Sequence, residues 1–420
     1  MRILFVSMEL PFPPDTGGRI RVFNLLRLLG RTHEVHLLSL TPSRDEARCA
    51  LETPAFLASL GTVQLPLRSK VGHVPGIARR LVAGLPMDTH FYAVPELRGK
   101  IARTLSHRRF DIVQFEHSYM ACHLGAVPPE SSIRTVVDFV DIESSRLARS
   151  LRVEGRPYWR LRHLLNWLPM QRWERHITRS ADMCLVTSTV DMSSLVAHTG
   201  ADNVLVVPNG VDCGALKPLE WQGTERDILF VGTFGYPPNV DGALYFAREV
   251  LPAVVNQVGD VRCTFVGATP PTALTRLAAE FPIRMTGRVD DVRPYYQRSA
   301  VCVVPLRAGG GTRLKILEAM ALGRPVVSTS VGCEGLGATD GVNIMVADSP
   351  SDFAAATSKL LLDRELRLRV AHNARRFVES RYTWDSIAAA LSSAYDEMVA
   401  RRTAGRLGPP TAMPERQGAI

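Results

Sequence analysis

Apolar residues along the chain gather into short continuous runs, and helix-length stretches with a 3.6-residue period separate them. Residues 2–7 (RILFVS) read as a buried parallel strand, apolar throughout and ending at a loop. The proline-rich loop 8–18 closes with Asp15-Thr16-Gly17-Gly18, and a helix follows with Ile20, Phe23, Leu25, Leu28 and Leu29 along it. Residues 34–39 give a second strand. Strand, glycine turn, helix and strand make a βαβ unit, which predicts a parallel sheet. Further strands are read at 62–65, 111–115 (DIVQF), 135–140 (TVVDFV), 183–188 (MCLVTS) and 204–207. Turn residues at 208–212 (PNGVD) interrupt the series. A second series then runs through 227–232, 261–267, 283–286, 300–305, 325–327 and 343–346, with helices at 291–298, 351–379 and 384–401. The chain thus reads as two βα-repeating halves joined near residue 208, with a ligand expected between them.

Length agrees with this division, since 420 residues exceed one ordinary core. A hydrophobic content of 46% with 22% charged residues is that of a globular protein. The seven cysteines (49, 122, 184, 213, 263, 302 and 333) are scattered and contain no CxxC, which fits a reduced cytoplasmic chain without a metal site. The opening MRILFVSMELPFPP has too short an apolar run for a signal peptide, and no run approaches the length of a membrane span. Residues 402–420 carry no core pattern and are expected to be disordered.

The net charge of +9 is uneven. Between residues 144 and 180 nine arginines stand against Glu154 and Glu174, a net of +7, with Tyr158, Trp159, Trp167 and Trp173 interleaved. Basic residues beside aromatics suit an anionic membrane surface. They also suit nucleic acid, but no nucleic-acid motif accompanies them and that partner is set aside. A solvated helical pair with its tryptophans in the core is the competing reading.

The densest candidate chemistry lies in residues 305–327 (PLRAGGGTRLKILEAMALGRPVV). A strand runs into Gly309-Gly310-Gly311, then Arg313 and Lys315, then a helix with Leu314, Leu317, Met320 and Ala321 on one face. Glycines admit close approach, a helix N-terminus offers free N–H groups, and the two cations add charge, so the stretch reads as an anion cradle. One turn on, Glu318 can accept hydrogen bonds from a diol such as a ribose. A glycine-rich connection serving geometry alone is the alternative. In the first half, Gly17 and Gly18 sit just past a strand end, though not as GxGxxG. Glu116, His117 and Asp141 likewise stand at strand C-termini, with a structural histidine and a helix N-cap as the plainer readings of the last two. Asp290-Asp291 reads as a loop and N-cap pair rather than a metal site.

Together these stretches resemble the family-4 retaining glycosyltransferases. The resemblance rests on LPFPPDTGGRIRVFNLLRLL, VPNGVD, FVGTFGYPPNVDGALYF, TGRVDDVRPYYQRSAVCVVPLRAGGGTRLKILEAMALGRPVVST and the closing helix. It implies the GT-B architecture: α/β, two facing Rossmann-like domains with parallel sheets and a cleft between them. The domains would be residues 1–205 on the acceptor side and 206–380 on the donor side, with a C-terminal helix at 381–401 packing back on the first.

By position, the resemblance implies that Gly17 and Gly18 approach the donor diphosphate and that Glu318 binds the ribose. Gly311, Thr312, Arg313 and Leu314 would meet the diphosphate and sugar, while Arg288 and Val289 flank the base. Glu116 and Asp141 would lie nearest the anomeric carbon and acceptor, with His117 beside them. Three departures stand out. Gly310 replaces the first glutamate of E-x7-E, Thr233-Phe234-Gly235-Tyr236 and then Pro237-Pro238-Asn239 follow Gly232 where an Arg and a Lys are frequent, and Glu116 aligns with the usual strand-end histidine. Arg313 and Lys315 are expected to supply the charge missing from the Thr233 loop, and Gly232, Thr233 and Asn239 are counted with the donor-binding residues. The implied activity is metal-free, cofactor-free hexosyl transfer from a nucleotide diphosphate sugar to a glycan or lipid-linked acceptor. Cell-envelope polysaccharide assembly at the inner face of the cytoplasmic membrane would fit. A non-catalytic binding or scaffold protein and a nucleotide-sugar 2-epimerase are the rivals, and a dehydrogenase is disfavoured by the missing dinucleotide fingerprint.

Overall fold

The computed structural model describes residues 1–42, 53–66, 73–153, 156–309 and 313–403. It divides into two compact domains: Met1–Pro208 with the chain from Trp384 onward, and Asn209–Thr383. The hydrophobic pattern puts the first junction near residue 208, in agreement, while the family resemblance implies junctions at 205/206 and 380/381. The proposed disordered tail, 402–420, lies outside the described residues except that the last helix runs to Thr403.

The first domain is a seven-stranded sheet. Its strands are β1 (Arg2–Ser7), β2 (Glu34–Thr41), β3 (Ser59–Gln64), β4 (Ile112–Glu116), β5 (Arg134–Asp138), β6 (Met183–Val186) and β7 (Val204–Val206). They are ordered β3-β2-β1-β4-β5-β6-β7, all parallel. β3 starts three residues before the apolar run at 62, because Ser59, Leu60 and Gly61 pair with β2 without being fully buried themselves.

Alternation along the strands serves two cores. Leu4, Val6, Val113, Phe115 and Val137 meet Met170, Trp173 and Ile177 on one side of the sheet. Ile3, Phe5, Ile112 and Val136 meet Leu25 and Leu29 of the helix Gly17–Leu29 on the other. That second side also receives the final helix, Trp384–Thr403, whose Trp384, Ile387, Ala388, Leu391 and Tyr395 recur at helical spacing and are all buried. Each such large side chain contributes roughly 1.5–3 kcal/mol by leaving water.

The second domain has β8 (Asp227–Val231), β9 (Arg262–Val266), β10 (Ile283–Met285), β11 (Val301–Val304), β12 (Val326–Ser328) and β13 (Met345–Val346). Their order is β10-β9-β8-β11-β12-β13, again parallel. Strand order reverses between β1 and β4 in the first sheet and between β8 and β11 in the second. These are the points where a doubly wound sheet opens a ligand crevice at its strand C-termini. Where the periodicity suggested one helical stretch at 351–379, Asp363 divides it into Pro350–Leu362 and Arg364–Arg381, its carboxylate accepting from the Leu366 amide at 2.9 Å.

The basic segment splits into the helices Glu143–Val153 and Pro157–Ser180. The reading that puts tryptophan in the core holds for one part of the longer helix. Its C-terminal half is core: Met170, Trp173 and Ile177 are buried, and the Trp173 indole donates to the Ser118 carbonyl at 3.0 Å. Its N-terminal half leaves Tyr158 71%, Leu161 55%, Leu164 56%, Leu165 49% and Leu168 47% exposed. Arg156 and Arg162 lie over the Trp159 ring at 5.8 and 5.4 Å.

Candidate functional site

In the second domain the site grows from the end of β8. The Gly232 amide donates to the Val266 carbonyl (2.9 Å), and the Gly267 amide donates to the Gly287 carbonyl (3.1 Å), so the turns after β8, β9 and β10 lie side by side. Gly232 is needed for space. A Cβ there would stand 2.6 Å from Lys315 Nζ and 2.9 Å from the Asn239 amide. The buried Asn239 side chain is fixed at both ends, donating through Nδ2 to the Thr233 carbonyl (2.8 Å) and accepting from Lys315 Nζ (2.7 Å). Lys315 also lies 5.0 Å above the Phe230 ring. Lys315 therefore delivers its amine to the very loop whose sequence lacks a cation.

Burial is the main force on the two titrating groups of the helix Leu314–Ala321. Lys315, half-buried, is lowered to about 7 by desolvation and then by Arg313, while Glu318 one turn on is raised to about 7 by desolvation against the opposing pull of Lys315. Arg313 is buried at the head of the same helix. Gly309 adopts φ +125°, and a Cβ on it would stand 2.7 Å from the Arg313 guanidinium and 3.1 Å from the Tyr236 hydroxyl. The GYPPN and GGGTRLK stretches thus meet twice, through Lys315–Asn239 and around Gly309.

The remaining donor-side candidates are peripheral to this contact. Leu314 is half-buried on the core, Val289 is half-buried beside it, and Arg288 is exposed on the loop after β10. Gly310, Gly311 and Thr312 lie outside the described residues. Asp291 accepts from the Arg293 amide and guanidinium at 2.9 Å, a local loop pair, and among the described residues no three metal-ligating side chains cluster.

In the first domain Gly17 and Gly18 are exposed at the start of their helix, where the Thr16 hydroxyl accepts from the Arg19 amide (3.4 Å). His117 follows β4 at φ +83°. Its Nε2 is 3.7 Å from Glu143 Oε1, and its ring stacks on Tyr119 at 4.7 Å. The Tyr119 hydroxyl donates to Glu143 (3.1 Å), which also accepts from Arg146 Nε (2.9 Å). Burial lowers the His117 pKa against the pull of Glu143, leaving a neutral imidazole at pH 7. Burial raises Glu143, but Arg146 and His117 outweigh it and the carboxyl stays below its ordinary value. Asp141 is half-buried just before the helix Glu143–Val153, so it joins this end of the sheet.

Glu116 does not. Its carboxylate turns to the opposite face of the sheet, accepting from Gln114 Nε2, whose own Oε1 accepts from the Tyr395 hydroxyl of the last helix. Burial first, then the neighbouring Asp138 charge, pushes Glu116 up to about 8. Asp138 in turn holds Arg21 at 2.8 Å, both fully buried, and Arg21 also donates to the Val207 carbonyl at 2.9 Å. The expected pairing of Glu116 with His117 is corrected on this ground: one strand position separates residues that point to opposite faces. Tyr119, Glu143, Arg146, Arg21 and Asp138 escaped the motif reading. A usable signal existed for Arg21, a cation on the apolar stripe of a helix, which demands a buried partner.

The family described as Glycosyltransferase Family 4 matches residues 16–214, and that described as Glycosyl transferases group 1 matches residues 225–363. The chain belongs to the family 4, group 1 glycosyltransferases. Among curated relatives, an uncharacterized 44.6 kDa protein in the cps region of Klebsiella pneumoniae is 20% identical over 396 residues, covering 91% of this chain and 96% of that one. The D-inositol 3-phosphate glycosyltransferase of Geodermatophilus obscurus is 31% identical over 258 residues, 54% of this transferase and 56% of the relative. The solved structure of Anabaena Alr3699/HepE in complex with UDP and glucose superposes with a TM-score of 0.67 at 15% identity, covering 94% of this chain and all of that one. The fold of the transferase is GT-B.

Proposed function

We propose that the transferase moves a hexosyl group, with retention, from a nucleotide diphosphate sugar to a glycan or lipid-linked acceptor of cell-envelope polysaccharide assembly. The observation that carries the reading is the Lys315 amine held at the Gly232 turn by Asn239, with Glu318 one helical turn away. A departing diphosphate needs fixed positive charge, and preorganised charge is usually the largest catalytic term. Lys315 and Arg313 supply it, and Glu318 accepts from the ribose diol. His117, neutral and oriented by Glu143, serves the acceptor side with Asp141. The donor phosphate takes the acceptor's proton, and no metal is required. The Anabaena complex with UDP and glucose and the Klebsiella relative's place in a cps region support the donor class and the setting.

The test is thermal unfolding of the full chain across a panel of nucleotide diphosphate sugars, with and without EDTA. A ligand at about 100 times its Kd stabilises the native state by about 2.7 kcal/mol. One donor should raise the midpoint, EDTA should leave the rise unchanged, and Glu318→Ala should abolish it. A panel with no rise would favour a non-catalytic scaffold.

A lipid-linked acceptor is favoured by the exposed face of Tyr158, Leu161, Leu165 and Leu168, flanked by Arg156, Arg160 and Arg162. No described helix is long and apolar enough to cross a membrane. The protein should float with vesicles containing anionic lipid, and Leu161→Glu with Leu165→Glu should keep it at the bottom of the gradient. Equal recovery with neutral vesicles would remove the electrostatic part of this reading.

A further inference from the structure

The second domain also has a cavity at the opposite edge of its sheet, where β11 and β12 begin. It measures about 360 Å³ and is lined by Ala300, Arg324, Pro325, Trp221, Arg364 and Arg367. That size lies at the small end of ligand pockets, about 300–1,000 Å³.

Two buried donors on its wall have no partner. Arg324 is 6% exposed, and its Nη2 donates to the Leu219 carbonyl at 2.7 Å, but its Nε meets no acceptor among the described residues. The Trp221 indole Nε1 is likewise buried and unmatched. An unmatched buried donor is costly, so a native structure that keeps two of them in one cavity calls for an acceptor there.

The neighbouring charges narrow the acceptor. Arg367 is already used: it donates to the Leu360 carbonyl at 3.0 Å and to Glu225 at 2.9 Å, and its guanidinium covers the Trp221 ring at 5.2 Å. Arg364 stands at the mouth, 70% exposed, with Glu225 at 3.8 Å. Glu220 also lines the cavity, but no carboxylate lies within ion-pair distance of Arg324 among the described residues. A carboxylate ligand would satisfy one guanidinium edge. An oxyanion with acceptor oxygens in several directions can meet Arg324 Nε, Trp221 Nε1 and Arg364 together, which is the geometry of a phosphoryl group. Pro325, Leu368 and Ala371 leave an apolar wall beside it.

We propose that this cavity binds the phosphate monoester of a small metabolite, at a site separate from the sugar-donor residues. β11 (Val301–Val304) begins next to Ala300 of the cavity wall and leads out towards the Gly309 turn, so the two sites lie beyond opposite ends of one strand.

The chain has five tryptophans, so fluorotryptophan-labelled protein gives a resonance for Trp221 that Trp221→Phe identifies. Glycerol phosphate should shift that resonance saturably, and more tightly than inorganic phosphate, while chloride at matched ionic strength should not. Arg324→Lys keeps the charge but loses the Nε–H and should weaken the titration at least about tenfold, the factor for 1.4 kcal/mol. Arg364→Gln, at the exposed mouth, should weaken it less, and Lys315→Met should leave it unchanged. A Trp221 resonance that ignores phosphate, or follows chloride equally, would overturn the site. So would loss of the response in Lys315→Met, which would place the binding event at the donor residues. Equal affinity for inorganic phosphate would overturn the ester.

Discussion

Replacing Lys315 by methionine is expected to lower kcat/KM for sugar transfer by about 10²–10³, the usual loss when one preorganised donor to developing negative charge is removed. Methionine retains an apolar stem of similar length while removing the ammonium, so folding should be preserved and the loss should fall on the leaving-group interaction. The same residue sets a pH dependence. Desolvation, then Arg313, lowers the free-state Lys315 pKa to about 7. A bound diphosphate favours the ammonium and raises that pKa, so donor binding takes up a proton wherever the free amine is neutral. Affinity should be full below pH 7 and fall above it, by up to about tenfold per unit, until the bound-state pKa is reached. Glu318, at about 7 in the free protein, titrates over the same range and limits the drop. Isothermal titration of a nucleoside diphosphate between pH 6 and 9 in Lys315→Met should show no such fall. A wild-type affinity flat across that range would remove Lys315 from the phosphate site.

Arg21→Met is expected to destabilise the first domain by about 3–5 kcal/mol, because it strands the fully buried Asp138 carboxylate and frees the Val207 and Pro208 carbonyls. Glu116→Gln should behave in the opposite way. The Glu116 pKa is raised from 4.5 to about 8, so at pH 7 the carboxyl is mainly protonated and glutamine imitates it. A raised folded-state pKa gives a stability contribution that is complete below pH 4.5 and is lost as pH rises through about 8. The glutamine variant lacks that loss and should gain on the wild type over this interval. Hydrogen exchange of β4 and β5 amides reads the first domain, with β8 and β11 in the same molecule as the reference. Unchanged β4 and β5 protection in Arg21→Met would refute the argument. Transfer activity should survive in Glu116→Gln, and its loss would return Glu116 to the catalytic group.

The strands were legible because both faces of a parallel sheet are covered, so most of them read as apolar runs with few polar breaks, such as His36 and Ser39 in β2 or Gln114 in β4. β3 lies at the sheet edge and mixes Ser59, Gly61 and Thr62 into its ladder, so its start was not visible. The donor-side cluster was legible in residue type but not in geometry. Asn239 and Lys315 are 76 positions apart, and nothing in either stretch states that one amide orders the other's amine. The period of two would have served better at Glu116. It shares phase with Ile112 and Gln114, which face the Gly17–Leu29 and Trp384–Thr403 helices, whereas His117 leaves the strand through a left-handed turn. Glu143 and Arg146 carry no motif and act only because the helix after β5 starts beside His117.

The helix Trp384–Thr403 has a consequence for how the protein is made. Its Trp384, Ile387, Leu391, Tyr395 and Met398 complete the core built on Ile3, Phe5 and Leu25, while the cores of residues 209–383 draw only on that interval. Domains ordinarily fold in the order in which the ribosome releases them. Here the domain of residues 209–383 has every core residue in hand first, and the domain of residues 1–208 must wait for residues 384–398 to be translated. Until then the sheet face it shares with the Gly17–Leu29 helix is only part-covered, so in the nascent chain the first domain, not the second, presents the surface that a chaperone would need to cover.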